Sequence, residues 1–205
     1  MNTPYTDLKS GWTETTESFF SDLFLRARIS TGQESNKGYY SQLEGVKEND
    51  MRFEDDVNTY IVHALSSMLD PGYLKLFEHY SVKKESDAGK VADKMKSRSD
   101  KYLLYRTNAD FLLLNLGLFT PLDLSFSAYL DKGKFYYAAT AGYRQEIDSG
   151  RSSLAQTFEK LSIGFGKYVG LLRFMKHTEP NFFDIFSRLG VREMGDLEQI
   201  VTLEA

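Results

Sequence analysis

The sequence predicts an all-α protein, a single-domain multi-helix bundle of about six to eight helices. Apolar side chains recur at steps of three and four residues through most of the chain, the spacing that lines one helix face. No run alternates apolar and polar residues in the manner of a half-buried strand. Proline, glycine and capping residues stand where the periodic segments begin and end.

Residues 1–12 are polar and read as a tail. A first helix is predicted over 14–29, with Phe19, Phe20, Leu23, Phe24 and Ala27 on one side. Residues 30–50 hold Gly32, Asn36, Gly38 and Gly45 among many charges, and Tyr39, Tyr40, Leu43 and Val46 suit a short helix there. The next helix, over 51–69, carries Phe53, Val57, Tyr60, Ile61, Ala64, Leu65 and Met68 on a broad apolar face. Asp70-Pro71 reads as a cap followed by proline at the first helical position, where its missing N–H costs nothing. A short helix through Tyr73, Leu76, Phe77 and Tyr80 follows. Residues 86–97 predict a polar helix with Ala88, Val91, Ala92 and Met95 on one side.

The central element spans 101–119. Tyr102, Tyr105, Ala109, Leu112, Leu116 and Phe119 form one stripe, and Leu104, Phe111 and Leu118 a second, interrupted by Asn108 and Asn115. A helix apolar around most of its girth is surrounded by others. Thr120-Pro121 with Asp123 restarts the chain. A turn is expected near Lys132-Gly133, then a helix over 134–147 with Phe135, Tyr136, Tyr137 and Tyr143. Ser153 with Gln156 matches a capping box. Leu154, Phe158, Leu161, Phe165, Tyr168, Leu172 and Met175 then extend a heptad-like repeat over 153–176, as in helices packed side by side. Pro180 opens a short helix stopped at Gly190. The helical domain thus runs over 13–190, and 191–205 form a last short helix or tail.

Composition narrows the function classes. The chain has 205 residues, 41% hydrophobic and 14% aromatic, with 15 Phe and 13 Tyr, enough to build a sizeable core. The charge balance is 25 basic against 29 acidic residues, a net −4, with no global pull towards nucleic acid or an anionic membrane. With no cysteine, disulfides, thiolate zinc sites and cysteine nucleophiles are excluded. The polar N-terminus lacks the apolar core of a secretory leader, and the longest uncharged apolar run, 111–122, falls short of the roughly 20 residues of a membrane span. The expected compartment is the cytoplasm.

Tyr-Ile-Val-His-Ala-Leu (60–65), Asp-Phe-Leu-Leu-Leu-Asn-Leu-Gly-Leu-Phe (110–119), Tyr-Tyr (136–137) and Ala-Gly-Tyr-Arg (141–144) together resemble a bacterial family of helical proteins of similar length and unknown function. The resemblance spans 18–177 and departs at Ala109, where the family pattern has glycine before the aspartate. It implies an all-helical fold and carries no catalytic role to any residue.

The candidate site centres on Arg106 and Asp110, four apart on the stripe Leu103, Arg106, Asp110, Leu113, Gly117 of the most apolar helix. A guanidinium and a carboxylate there suit either the grip on an anionic ligand or an ion-pair network holding helices in register. Tyr136, Tyr137 and Tyr143 are placed to join them, since buried phenols seek partners. No catalytic residue is assigned. No metal is expected: His63, His79 and His177 are preceded at three residues by Tyr60, Leu76 and Phe174, not by the glutamate of helical metal motifs. No nucleophile elbow or phosphate-cradling loop is present. Gly164, Gly166 and Gly170 imitate a dinucleotide fingerprint with the wrong spacing, inside a predicted helix. Lys90, Lys94, Arg98 and Lys101 line one face of 86–101, but interleaved Asp87, Asp93 and Asp100 make that a solvated face. The expected function is a non-enzymatic interaction or adaptor protein, with a protein partner or a second copy of the chain. The alternative is a small-molecule binder or enzyme with a tyrosine-rich pocket; no cofactor, nucleic acid or membrane partner is expected.

Overall fold

The computed structural model describes residues 18–23, 55–68, 70–83, 86–120 and 126–178, together with Phe182. Their regular structure is helical, with no strand among them. Residues 18–23 are helical and bury Phe20 and Leu23, within the predicted 14–29. The expectations for 1–12, 30–50, the restart at Pro121 and Asp123, and 191–205 lie outside the described residues. So does the helix opened by Pro180, apart from Phe182.

α1 spans Asp55–Ser67 and buries Val57, Tyr60, Ile61, Ala64 and Leu65 along one face. α2, Pro71–Tyr80, starts as expected: the Asp70 carboxylate accepts from the Gly72 N–H at 2.9 Å. α3 is much shorter than the predicted 86–97. It covers Ala88–Ala92, capped by Asp87, and ends before α4, Arg98–Leu114, begins. The reason is Ser97, whose hydroxyl accepts from the Asp100 N–H and starts a new helix there. Lys90 and Lys94 therefore precede the break and Arg98 and Lys101 follow it, so the basic stripe does not occupy one helix face.

α4 is the buried axis of the molecule. From Thr107 to Leu118 every side chain is buried, as its double stripe of apolar residues requires. Its last turn widens into a π-helix over Asn115–Phe119, closed by the Thr120 N–H on the Asn115 carbonyl at 2.8 Å. Lys176 and Arg173 donate to the carbonyls of Leu118 and Thr120, the groups that a helix end leaves without partners.

α5 runs unbroken over Phe126–Ile147, which corrects the turn expected at Lys132-Gly133. Gly133 is there for close approach, because a Cβ at this position would overlap the ring of Phe165. The predicted 153–176 helix is two: α6, Ser153–Ile163, and α7, Phe165–Thr178, separated at Gly164. The heptad-like repeat continues across the break, so spacing alone concealed it. The cap of α6 is Ser152, not Ser153, its hydroxyl accepting from the Ala155 N–H at 3.2 Å. α4 packs most extensively on α5, and α5 on α6; α7 lies along the π-helical turn, while α2 and α3 cover α4. No helix among the described residues is long and apolar enough to cross a membrane.

Candidate functional site

Asp110 projects from the middle of α4 into the core and is 1% exposed. A carboxylate so placed costs several kcal/mol of desolvation unless its oxygens are bonded, and two other helices supply the donors. Tyr60 of α1 donates to both carboxylate oxygens, at 2.8 and 2.9 Å. Tyr137 of α5 donates to Oδ1 at 2.7 Å, and the phenol of Tyr73 on α2 lies close enough to feel the same carboxylate. Arg106, one turn earlier on α4, places Nε 3.0 Å from the Tyr60 hydroxyl and 3.6 Å from Asp110 Oδ2. Its guanidinium also stands over the Tyr60 ring, 5.6 Å from the centroid.

Phe158 of α6 floors this cluster. Its ring meets Tyr60 edge-on at 5.1 Å and stacks on Tyr137 at 6.1 Å. Five elements thus converge on one carboxylate. Burial pushes the Asp110 carboxyl above its ordinary range, opposed by Arg106, Tyr137 and Tyr60. Burial followed by the charge of Asp110 pushes the phenols of Tyr60 and Tyr137 far up. Tyr73 moves the same way for the same reasons. Desolvation acts against the charge on Arg106, but Tyr60 and Asp110 outweigh it and hold the guanidinium protonated. Neutral phenols therefore donate to the Asp110 carboxyl beside a fixed cation.

Of the five residues predicted as a site, the structure brings together Arg106, Asp110 and Tyr137. Tyr136 faces another way: its hydroxyl accepts from the Ala88 N–H at 3.0 Å, tying α5 to α3. It lines a shallow cleft with Val82, Asn108, Phe111 and Lys132. Tyr143 stacks on Tyr105 at 5.8 Å and lies under the Lys101 ammonium, in an outer aromatic cluster that includes Phe135. Burial raises the Tyr105 phenol to about 12.

Tyr60 and Tyr73 were not foreseen as members. The available signal was that a buried aspartate demands donors, and both tyrosines sit on apolar stripes of neighbouring helices. The interruptions of the second stripe of α4 have an explanation as well. Asn108 accepts from the Val82 N–H at 2.9 Å and donates to the carbonyls of Tyr80 and Leu104, clamping the exit of α2 onto α4. Asn115 holds Thr120 through both its side chain and its carbonyl.

Chemically, the cluster is a lock. Phenols with raised pKa values are poor acids and poorer nucleophiles, and Asp110 cannot accept a proton from a substrate without giving up bonds to protein. Among the described residues no three His, Asp or Glu side chains converge as metal ligands. Comparison of the chain with protein-family models, with curated proteins and with solved structures finds no match.

Proposed function

We propose that the chain is a non-catalytic interaction or adaptor protein of the cytoplasm, whose buried polar cluster fixes the helix arrangement and whose outer helix faces receive protein partners. The observation that supports this is the engagement of Asp110: Tyr60 and Tyr137 donate to it from two other helices, with Arg106 alongside. An active-site carboxylate keeps lone pairs for substrate or water; this one spends them on helix register. A melting-temperature screen against phosphates, carboxylates and nucleotides, paired with a solution mass measurement, tests the reading. The expected result is no stabilisation by any of these compounds.

One observation favours a second reading, a binder of small anionic molecules. The Arg106 side chain is 26% exposed, and no acceptor among the described residues lies within bonding distance of its two terminal nitrogens. Those nitrogens match the geometry of a carboxylate or phosphate. A compound that raises the melting temperature of the wild type, with the effect lost in Arg106→Ala, would establish this reading in place of the first.

A further inference from the structure

Arg106 is fixed to the core at one end and open at the other. Its Nε donates to the Tyr60 hydroxyl at 3.0 Å, and its guanidinium lies over the Tyr60 ring, 5.6 Å from the centroid. Asp110 also approaches at Nε, 3.6 Å away, and is itself 1% exposed, so the carboxylate stands behind the guanidinium. The two terminal nitrogens meet no acceptor among the described residues, and the side chain is 26% exposed, so their N–H donors reach the surface unspent. Two more polar side chains stand around this pair. His63, one turn beyond Tyr60 on α1, is exposed and near enough for its charge to act on the Asp110 carboxyl. Tyr73 of α2 is half-buried, and its phenol feels both Arg106 and Asp110. Leu103, one turn before Arg106 on α4, is half-buried as well.

We infer that this opening between α1, α2 and α4 receives a carboxylate from an acidic segment of a partner protein, gripped by the outer edge of Arg106. This rests on the reading of the chain as an interaction protein and names the chemistry of the partner and the residue that takes it. The planar fork of a guanidinium matches the two oxygens of a carboxylate. Bonded at Nε and laid on the Tyr60 ring, Arg106 is already in place before a partner arrives, so binding it orders little that was loose. Arginine and tyrosine are also the residues enriched at the energetic centres of protein interfaces, and Arg106 with Tyr73 supplies both. A free small anion is the poorer occupant. Asp110 balances the charge of Arg106 from behind, and an ion pair at a wet surface contributes at most about 1 kcal/mol. A carboxylate carried on a chain brings further contacts with it, to Tyr73 and Leu103 at the rim.

The test titrates a capped hexaglutamate peptide, with capped hexaglutamine as the neutral control, into the full chain carrying isotopically labelled arginine. Hexaglutamate should shift the Arg106 Nη–H resonances and slow rotation of the guanidinium, and hexaglutamine should do neither. That readout uses the unaltered protein and so does not depend on how a variant folds. Arg106→Lys keeps a positive charge beside Asp110 but loses the fork, and it should weaken the peptide about tenfold. Lys94→Ala, which removes an exposed charge elsewhere, should leave binding unchanged. Unmoved Arg106 resonances, equal shifts with hexaglutamine, or wild-type affinity in a folded Arg106→Lys chain would overturn the inference. Those outcomes leave the interaction reading standing, with its partners on other faces. Acetate that shifts Arg106 as strongly as the peptide at equal carboxylate concentration would overturn the inference in another way, in favour of the small-anion reading.

Discussion

Tyr60 donates its hydroxyl to both carboxylate oxygens of Asp110 across 50 residues of chain, and this bond ties α1 to the buried axis of the bundle. The same hydroxyl accepts from Arg106 Nε, so it stands between cation and anion and is bonded to each. Removing an acceptor oxygen should therefore cost more than removing any one phenol. Asp110→Asn points an amide donor at phenolic donors inside the core, a loss of about 2–3 kcal/mol. Tyr60→Phe or Tyr137→Phe should each cost about 1–2 kcal/mol. Urea unfolding measures all three, and the double variant should depart from additivity because both phenols share one acceptor. A cost for Asp110→Asn no greater than that of a phenol would contradict the arrangement.

Acid should act on Asp110 and Asp56 in opposite directions. Burial raises the Asp110 carboxyl above 3.8, so the folded state binds its proton more tightly than the unfolded chain. Its contribution to stability is fullest below the ordinary carboxylate value and declines as pH rises through the raised one. At Asp56 burial also acts upward, but Lys160 at 2.8 Å and Thr157 at 3.1 Å outweigh it, and the carboxyl sits below 3.8. That contribution is present above the ordinary value and vanishes as pH falls through the lowered one. On acidification from neutrality to about pH 3, the deficit of Asp110→Asn should widen. The deficit of Asp56→Asn, below about 1 kcal/mol because the pair is exposed, should close. Parallel pH profiles for the two variants would refute this assignment.

Two glycines of α5 should respond oppositely to the same added methyl. At Gly133 a Cβ would run into the Phe165 ring, and Gly133→Ala should destabilise by about 1–3 kcal/mol. At Gly142 nothing lies within 4 Å, and Gly142→Ala should stabilise by about 0.5–1 kcal/mol through helix propensity alone. Urea denaturation of the two single variants reads both. Equal effects would mean that α5 does not lie against α7 as described.

The contrast between these glycines also marks where the sequence stops being legible. Helical class, the face of α1 and the Asp70-Pro71 start of α2 were readable because each depends on neighbours within a turn or two. Gly133 looked like a turn and Gly164 like part of a helix, and both were misread for one reason. Whether glycine breaks a helix or lets another element approach depends on what faces it, here Phe165 in the first case. The Arg106–Asp110 pair was visible as charge inside an apolar stripe. Tyr137 could be placed with it, but Tyr136 and Tyr143 diverge, because the adjacent residues 136 and 137 point about 100° apart on a helix. Tyr60 and Tyr73 became members only when α1 and α2 docked, which no local pattern encodes.

Asn108 offers a test of that docking at a single amide. Its Oδ1 is the acceptor for the Val82 N–H, and its Nδ2 donates to the carbonyls of Tyr80 and Leu104. Asn108→Asp preserves the acceptor but sets a carboxylate against two carbonyls, whereas Asn108→Ala releases all three backbone groups. Both should destabilise by about 1–3 kcal/mol, and only the alanine variant should speed hydrogen exchange at the Val82 amide beyond what the lower global stability explains. If exchange at Val82 follows global stability in both variants, the amide is not held by this side chain, and the clamp between the end of α2 and α4 must be assigned to other groups.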